Sequence, residues 1–150
     1  MRLTTYTDYT LRTLMYLAVE PDRAATIAEI ASTYRISQAH LTKVVHQLAL
    51  AGEVATTRGR GGGLRLGKPA EAINVGALIR RTEPDMDLVA CFSAEGGCAI
   101  ESACVLSDAL RQALDSFLAV LDRCTLADLV APRQQLAALL RIDPPSMEHA

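Results

Sequence analysis

The chain has no tryptophan, two phenylalanines and four tyrosines among its 150 residues. Aromatic anchors therefore cannot organise the interior. Half of the residues are nonetheless hydrophobic, so the core must be filled by Leu, Ala, Val and Ile, which favours packed helices. Long apolar runs are also missing. None approaches the roughly 18 residues that a membrane span needs, and the opening Met1-Arg2-Leu3-Thr4 lacks the apolar centre of a secretory signal. The expectation is a cytoplasmic protein with no membrane partner. A C-x-x-C pair and a Ser/His/Asp constellation are absent too. His40 and His46 share one helical stretch and His149 falls near the end, so an enzyme is not expected. There is no internal repeat and no low-complexity tract.

What the chain does have is cysteine in one place. Cys91-Phe92-Ser93-Ala94-Glu95-Gly96-Gly97-Cys98-Ala99-Ile100-Glu101-Ser102-Ala103-Cys104 carries three of the four cysteines, spaced C-x6-C-x5-C. In a reducing compartment such usage argues for metal or redox chemistry and against a disulfide framework. The spacing is wider than the C-x2-4-C knuckle of structural zinc and lacks the run of a ferredoxin. Gly96-Gly97 allows the backbone to fold back on itself. Converged thiolates repel one another unless a cation lies between them, so one reading is a soft-metal site of three thiolates and an outside ligand. The other reading is cysteines that cluster without a metal.

The net charge of -2 conceals two halves. Up to Arg80, ten Lys/Arg stand against six Asp/Glu; from Arg81 onward, five stand against eleven. A basic front half suits phosphate, and an acidic back half stays away from it.

Along the front half, Thr5-Tyr6-Thr7-Asp8 reads as a capping box for a helix to about Val19, with Tyr9, Leu14, Leu17 and Ala18 inward. Thr26-Ile27-Ala28-Glu29 reads as a second box opening a short helix with Ile27, Ile30 and Ala31 inward. Arg35-Ile36 turns the chain, and Ser37 caps a third helix that buries Leu41, Val44, Val45 and Leu48 before Gly52 ends it. The pair of helices fits a helix-turn-helix, although an ordinary helical hairpin has the same pattern. The first turns of the third helix offer Ser37, Gln38, His40 and Lys43 to base edges or phosphates. Next, Glu53 to Thr57 reads as a strand, Arg58-Gly59-Arg60-Gly61-Gly62-Gly63 as a basic turn and Leu64-Arg65-Leu66 as the return strand. That is a hairpin wing with Arg58 and Arg60 at its tip, and arginines on a glycine-rich tip suit a narrow minor groove. The glycines match neither nucleotide-binding fingerprint.

Asn74 caps a helix from Val75 to about Glu83, with Val75, Leu78 and Ile79 inward, and Pro84-Asp85 breaks it. From Val105 to Arg123 runs the longest amphipathic stretch, with Leu106, Leu110, Ala113, Leu114, Phe117 and Leu121 on one stripe. Such a stripe usually faces a core; on a domain this small it fits a symmetric partner helix better. Thr125-Leu126-Ala127-Asp128 caps a further short helix that Pro132 ends. Asp143 to Ala150 reads as a frayed end. The expected fold is mainly α with a small β-hairpin wing. It divides into a winged helix-turn-helix region over 1–83, a cysteine loop over 84–105, a dimerisation helix and cap over 106–131 and a C-terminal tail over 132–150.

Leu3-Thr4-Thr5-Tyr6-Thr7-Asp8-Tyr9, the wing from Arg58 to Leu66, the three cysteines and Thr125-Leu126-Ala127-Asp128-Leu129 occur in an order that closely resembles the NsrR family. These are nitric-oxide-sensing winged-helix repressors of the group that also includes IscR. The resemblance runs from about Met1 to Val130. It implies a homodimer paired through the long helix, a palindromic operator DNA as partner and an iron–sulfur cluster on Cys91, Cys98 and Cys104. In IscR-like members a histidine three residues after the last cysteine is the fourth ligand; here that position is Ser107, so a 4Fe–4S cluster is expected in preference to 2Fe–2S. In NsrR-like members the fourth ligand is an aspartate in the first helix of the other protomer, and Asp8 matches it, with Arg12 one turn away. Helix capping is the plainer role for Asp8. Cys124 is a rival ligand that reads better as a buried structural thiol. Nitric oxide attacking the cluster would then release DNA and derepress detoxification genes. The alternatives are the same fold sensing cluster supply or oxidative stress, and a DNA-binding module whose cysteines hold zinc.

Overall fold

Hydroxyl and amide caps cut the chain into helices at nearly the places its composition suggests. In a computed structural model, which describes residues 2–143, the first helix, α1 (Thr5–Val19), is capped by Thr4. Its hydroxyl accepts from the Thr7 N–H at 3.3 Å. The expected box beginning at Thr5 is thus replaced by a single cap at Thr4, whose own N–H is taken by Glu83. Asp8 does not cap: its N–H continues the helix to the Thr4 carbonyl at 3.0 Å, and its carboxylate accepts from Arg12 Nε at 3.0 Å. The inward face of α1 also differs from expectation. Leu14, Leu17 and Ala18 are buried as expected, but Tyr9 is only half-buried, while Thr7, Thr10 and Thr13 are wholly buried. For Thr7 and Thr13 the hydroxyl finds a partner inside the core, whereas the Thr10 hydroxyl has none among the described residues. Thr7 Oγ1 donates to Thr82 Oγ1 at 2.8 Å and Thr13 Oγ1 to the Tyr9 carbonyl at 2.7 Å.

Helix α2 (Ile27–Tyr34) has the full capping box: the Glu29 N–H reaches Thr26 Oγ1 at 3.1 Å, and the Thr26 N–H reaches Glu29 Oε2 at 2.8 Å. Arg35, at φ 55°, turns the chain in a left-handed conformation, and Ser37 caps α3 (Gln38–Leu50). Leu41, Val44, Val45 and Leu48 all point inward. With Leu14, Leu17, Val19 and Ile30 they form one aliphatic core.

Strands β1 (Val54–Thr57) and β2 (Gly63–Leu66) pair antiparallel, Val54 opposite Leu66 and Thr57 opposite Gly63. The hairpin is stitched to the body by a bridge between Leu64 and Ala25. Gly63 is required there: its φ is 145°, and a Cβ would stand 2.7 Å from the Ala25 carbonyl oxygen. Helix α4 (Val75–Thr82), capped by Asn74, leads to a segment with two short 3-10 turns, Ala90–Phe92 and Glu101–Ala103. The long helix α5 (Val105–Asp122) follows.

The chain then returns to its beginning. Leu126, in α6 (Leu126–Leu129), is buried in the front-half core, and Thr125 and Asp128 form the expected capping box. The stretch from 132 onward, read from sequence as a tail, contains α7 (Arg133–Leu140). Leu136, Ala137 and Leu140 pack against the core, and Ile142 is 5% exposed. This helix has no side-chain cap, so its start carries no local signal. The frayed end expected from Asp143 falls, from 144 onward, outside the described residues.

Candidate nucleic-acid interface and cysteine loop

The burial of Leu41, Val44, Val45 and Leu48 turns the opposite face of α3 outward. Ser37, Gln38, His40 and Lys43 are all exposed, as are Arg58 and Arg60 on the hairpin turn. Neither of these arginines makes an ion pair among the described residues. Ser37 already uses its hydroxyl to accept from the His40 N–H at 3.5 Å, which leaves Gln38, His40 and Lys43 as the freer side chains. The His40 ring lies 6.4 Å from that of Tyr9, next to Asp8. One turn on, Arg12 stands over the Tyr34 ring at 5.6 Å. Burial pushes the Tyr34 phenol up to about 12, so it stays protonated.

The base of the wing is held by a residue that the sequence does not single out. The Glu53 N–H donates to the Leu48 carbonyl at 2.9 Å, tying it to the end of α3. Its own carbonyl accepts from the Gly67 N–H at 2.8 Å, closing the hairpin. Its carboxylate, with only 8% of the side chain exposed, accepts from Arg81 Nη1 at 3.0 Å and Nη2 at 2.5 Å. The neighbouring Arg80 makes a second fork, to Asp122 at the end of α5, at 2.5 and 2.8 Å. Three residues further, Glu83 accepts from the Thr4 N–H and hydroxyl at 2.8 and 3.0 Å. Burial by itself would raise the Glu83 carboxyl, but the hydrogen bonds from the Thr4 N–H and hydroxyl hold it below the usual range. These pairs join positions 28, 42 and 79 residues apart, so no spacing rule could have found them.

The cysteine segment is built differently. All four cysteines are free; Cys91 and Cys104 are half-buried and Cys98 is exposed. Among the described residues no group of three or more His, Cys, Asp or Glu side chains is gathered closely enough to hold a metal ion. The three thiols therefore share a segment without converging, and Asp8 is paired with Arg12 instead. Cys91 is followed by Phe92, over which Arg111 of α5 stacks at 4.3 Å. Cys124 is half-buried, not buried, with Sγ 3.5 Å from the Val120 carbonyl oxygen. Between it and Cys104 lies the whole of α5, about 27 Å long at 1.5 Å of rise per residue.

Helix α5 has little cover in the single chain. Ser107 is its only buried residue, while Val105 is 80%, Leu106 64% and Val120 52% exposed. Of the expected stripe, Leu106 and Ala113 are exposed and Leu110, Leu114, Phe117 and Leu121 are half-buried. Leu114 and Phe117 border a cavity of about 370 Å³ with Leu3, Met86 and Leu88. No helix among the described residues is long and apolar enough to cross a membrane.

A helix-turn-helix with polar first turns outward, flanked by a hairpin with free arginines, defines a winged-helix DNA-binding protein of the transcription-regulator class. The comparisons agree. The chain belongs to the Rrf2 family, described as iron-dependent transcriptional regulators, whose profile matches residues 3–132. The HTH-type transcriptional regulator NsrR of Bacillus subtilis (strain 168) is 48% identical over 144 residues, covering 95% of this chain and 99% of that protein. Among solved structures, CymR (YrzC), the global cysteine regulator of B. subtilis, is 29% identical. It superposes with a TM-score of 0.67 over 88% of this chain and 98% of its own. The T. potens IscR structure, 23% identical, shares the fold at a TM-score of 0.71, with 91% and 90% covered.

Proposed function

We propose that the chain is a homodimeric repressor of a palindromic operator, that it carries an iron–sulfur cluster, of 4Fe–4S type, on Cys91, Cys98, Cys104 and the partner's Asp8, and that nitric oxide is its signal. The observation that carries this reading is the placement of three free thiols between a complete winged body and an uncovered apolar helix. The donors fit such a group in kind: soft thiols for iron, and one hard, exchangeable carboxylate. They are incomplete within one chain, which a site shared between two subunits would remedy. Ser107, where an IscR-like histidine would stand, is 8% exposed and offers no imidazole.

The chain's own residues supply the rest. Gln38 and His40 read bases in the major groove, while Ser37 and Lys43 meet phosphate. Arg58 and Arg60 reach the adjacent backbone or minor groove. The outer stripe of α5 pairs across the two-fold axis and sets the spacing of the two heads at about 34–36 Å, one helical turn of DNA. When bound, the cluster supplies iron that nitric oxide can attack. Asp8 has 43% of its side chain exposed and is held by an i, i+4 pair with Arg12, a contact worth only about 0.3–0.5 kcal/mol. It would therefore be available at little cost as a ligand to a cluster on the partner subunit, a tether whose loss would free the two heads from one another and lower operator affinity.

The test is an anaerobic preparation with iron and sulfide counted per chain, titrated onto operator DNA with and without nitric oxide. Asp8→Ala is expected to keep iron on three thiolates, bind operator at the level of the cluster-free protein and respond little to nitric oxide. A cluster-loaded Asp8→Ala that binds at full strength and is released normally would make Asp8 a helix residue only. A colourless parent holding zinc would favour the zinc module.

A further inference from the structure

The exposed face of α3 and the tip of the wing can act on one duplex only if their mutual angle is fixed. A two-stranded hairpin is too small to fix it alone. Glu53 bonds to each of the parts that need to be fixed. Its N–H holds the last turn of α3 through Leu48, its carbonyl closes the hairpin through Gly67, and its carboxylate is clamped by both arms of Arg81 on α4. Gly67 leaves no slack, since a Cβ there would stand 2.5 Å from the Gly52 carbonyl oxygen. Helix α4 is itself pinned, by Arg80 to the end of α5 and by Thr82 to Thr7 of α1.

We propose that Arg81 and Glu53 are positioning residues for DNA recognition: the buried carboxylate, forked by Arg81, sets the angle between the recognition helix and the wing, and neither residue needs to touch DNA. The proposal rests on the DNA-binding reading above. Glu53 carries negative charge in the otherwise basic front half of the chain. If only charge mattered, removing it would strengthen binding to a polyanion. If it positions the wing, removing it weakens binding. The two readings predict opposite signs for one substitution.

The experiment titrates full-length protein onto a fluorescent operator duplex for the parent, Glu53→Gln, Arg81→Lys and each combined with Arg60→Ala. Hydrogen exchange of the free proteins is followed in parallel. Glu53→Gln is expected to lower affinity by roughly tenfold, within the coupling range of residues in one network, and Arg81→Lys, which keeps the charge but loses the fork, by less. Arg60→Ala should cost less in either background than in the parent. In the free protein, exchange should quicken at residues 54–57 and 63–66 while α1 and α2 keep the parent's protection. Glu53→Gln that binds as tightly as or more tightly than the parent, or an Arg60→Ala effect that is fully additive with both variants, overturns the proposal. Should Glu53→Gln fail to fold, Arg81→Lys decides by the same two criteria. A parent that binds no DNA defeats the functional reading instead, whereas wing exchange unchanged in both variants defeats the positioning role by itself.

Discussion

The winged body and the segment from Pro84 to Asp122 are built to different standards. In the body nearly every element start is capped and every expected inward aliphatic is at least half-buried; Leu14, Leu17, Ile30, Leu41, Leu48 and Leu126 are less than 2% exposed. In the later segment two 3-10 turns carry no side-chain cap, and an 18-residue helix buries one serine. A hydrophobic face left in water costs free energy in proportion to its area, so the body is complete as a single chain and the later segment is not. The difference teaches that the proposed second subunit and cofactor both belong to the unfinished end.

Four measurements would sharpen or break that contrast. The largest effect is expected at the thiols. Cys91→Ser, Cys98→Ser and Cys104→Ser should each abolish bound iron in an anaerobic preparation while cooperative thermal unfolding persists, because no core residue is altered. Loss of the folded state in all three would show that the segment supports the body after all. Next come paired truncations. Leu41→Ala should destabilise the body by about 2–5 kcal/mol in denaturant unfolding, whereas Leu106→Ala should change the monomer's stability far less and weaken self-association in sedimentation. If the two behave alike, the contrast fails.

A smaller effect is expected at the surface of the body. Arg60→Ala should weaken operator binding and make log affinity against log salt shallower by about 0.9 per lost phosphate contact, with Arg58→Ala milder and iron content unchanged. Identical slopes would take the wing out of the interface. The smallest effect concerns acid. Glu83 and Glu29 both have carboxyls held below their usual range; burial opposes this, and hydrogen bonds from Thr4, or from Arg23 and Thr26, outweigh it. A lowered folded-state value means stability that is present above the ordinary carboxyl range and is lost as pH falls through the folded value. Glu29→Gln and Glu83→Gln should thus flatten the decline of melting temperature below about pH 4.5. A decline as steep as the parent's would show that other carboxylates govern it.

Much of this could be read along the chain, because it depends on neighbours in sequence. The boxes at Thr26–Glu29 and Thr125–Asp128, the Ser37 and Asn74 caps, the left-handed turn near Arg35 and the glycine-rich hairpin are each decided within about four residues, the reach of a helical turn. The periodicity of Leu41, Val44, Val45 and Leu48 likewise determined which face of α3 meets solvent, and so which of Gln38, His40 and Lys43 are free. Tertiary structure decided what lies beyond that reach. It buried Thr7, Thr10 and Thr13, with Thr82 supplied from 75 residues away as a partner for the Thr7 hydroxyl. It folded α7 onto α1 without a local start signal. It left the three thiols ungathered, since spacing can place donors on one segment but cannot bring their side chains together. It also brought Arg81 to Glu53, because an ion pair depends on distance in space, and only the packing of α4 against the rest of the body sets that distance.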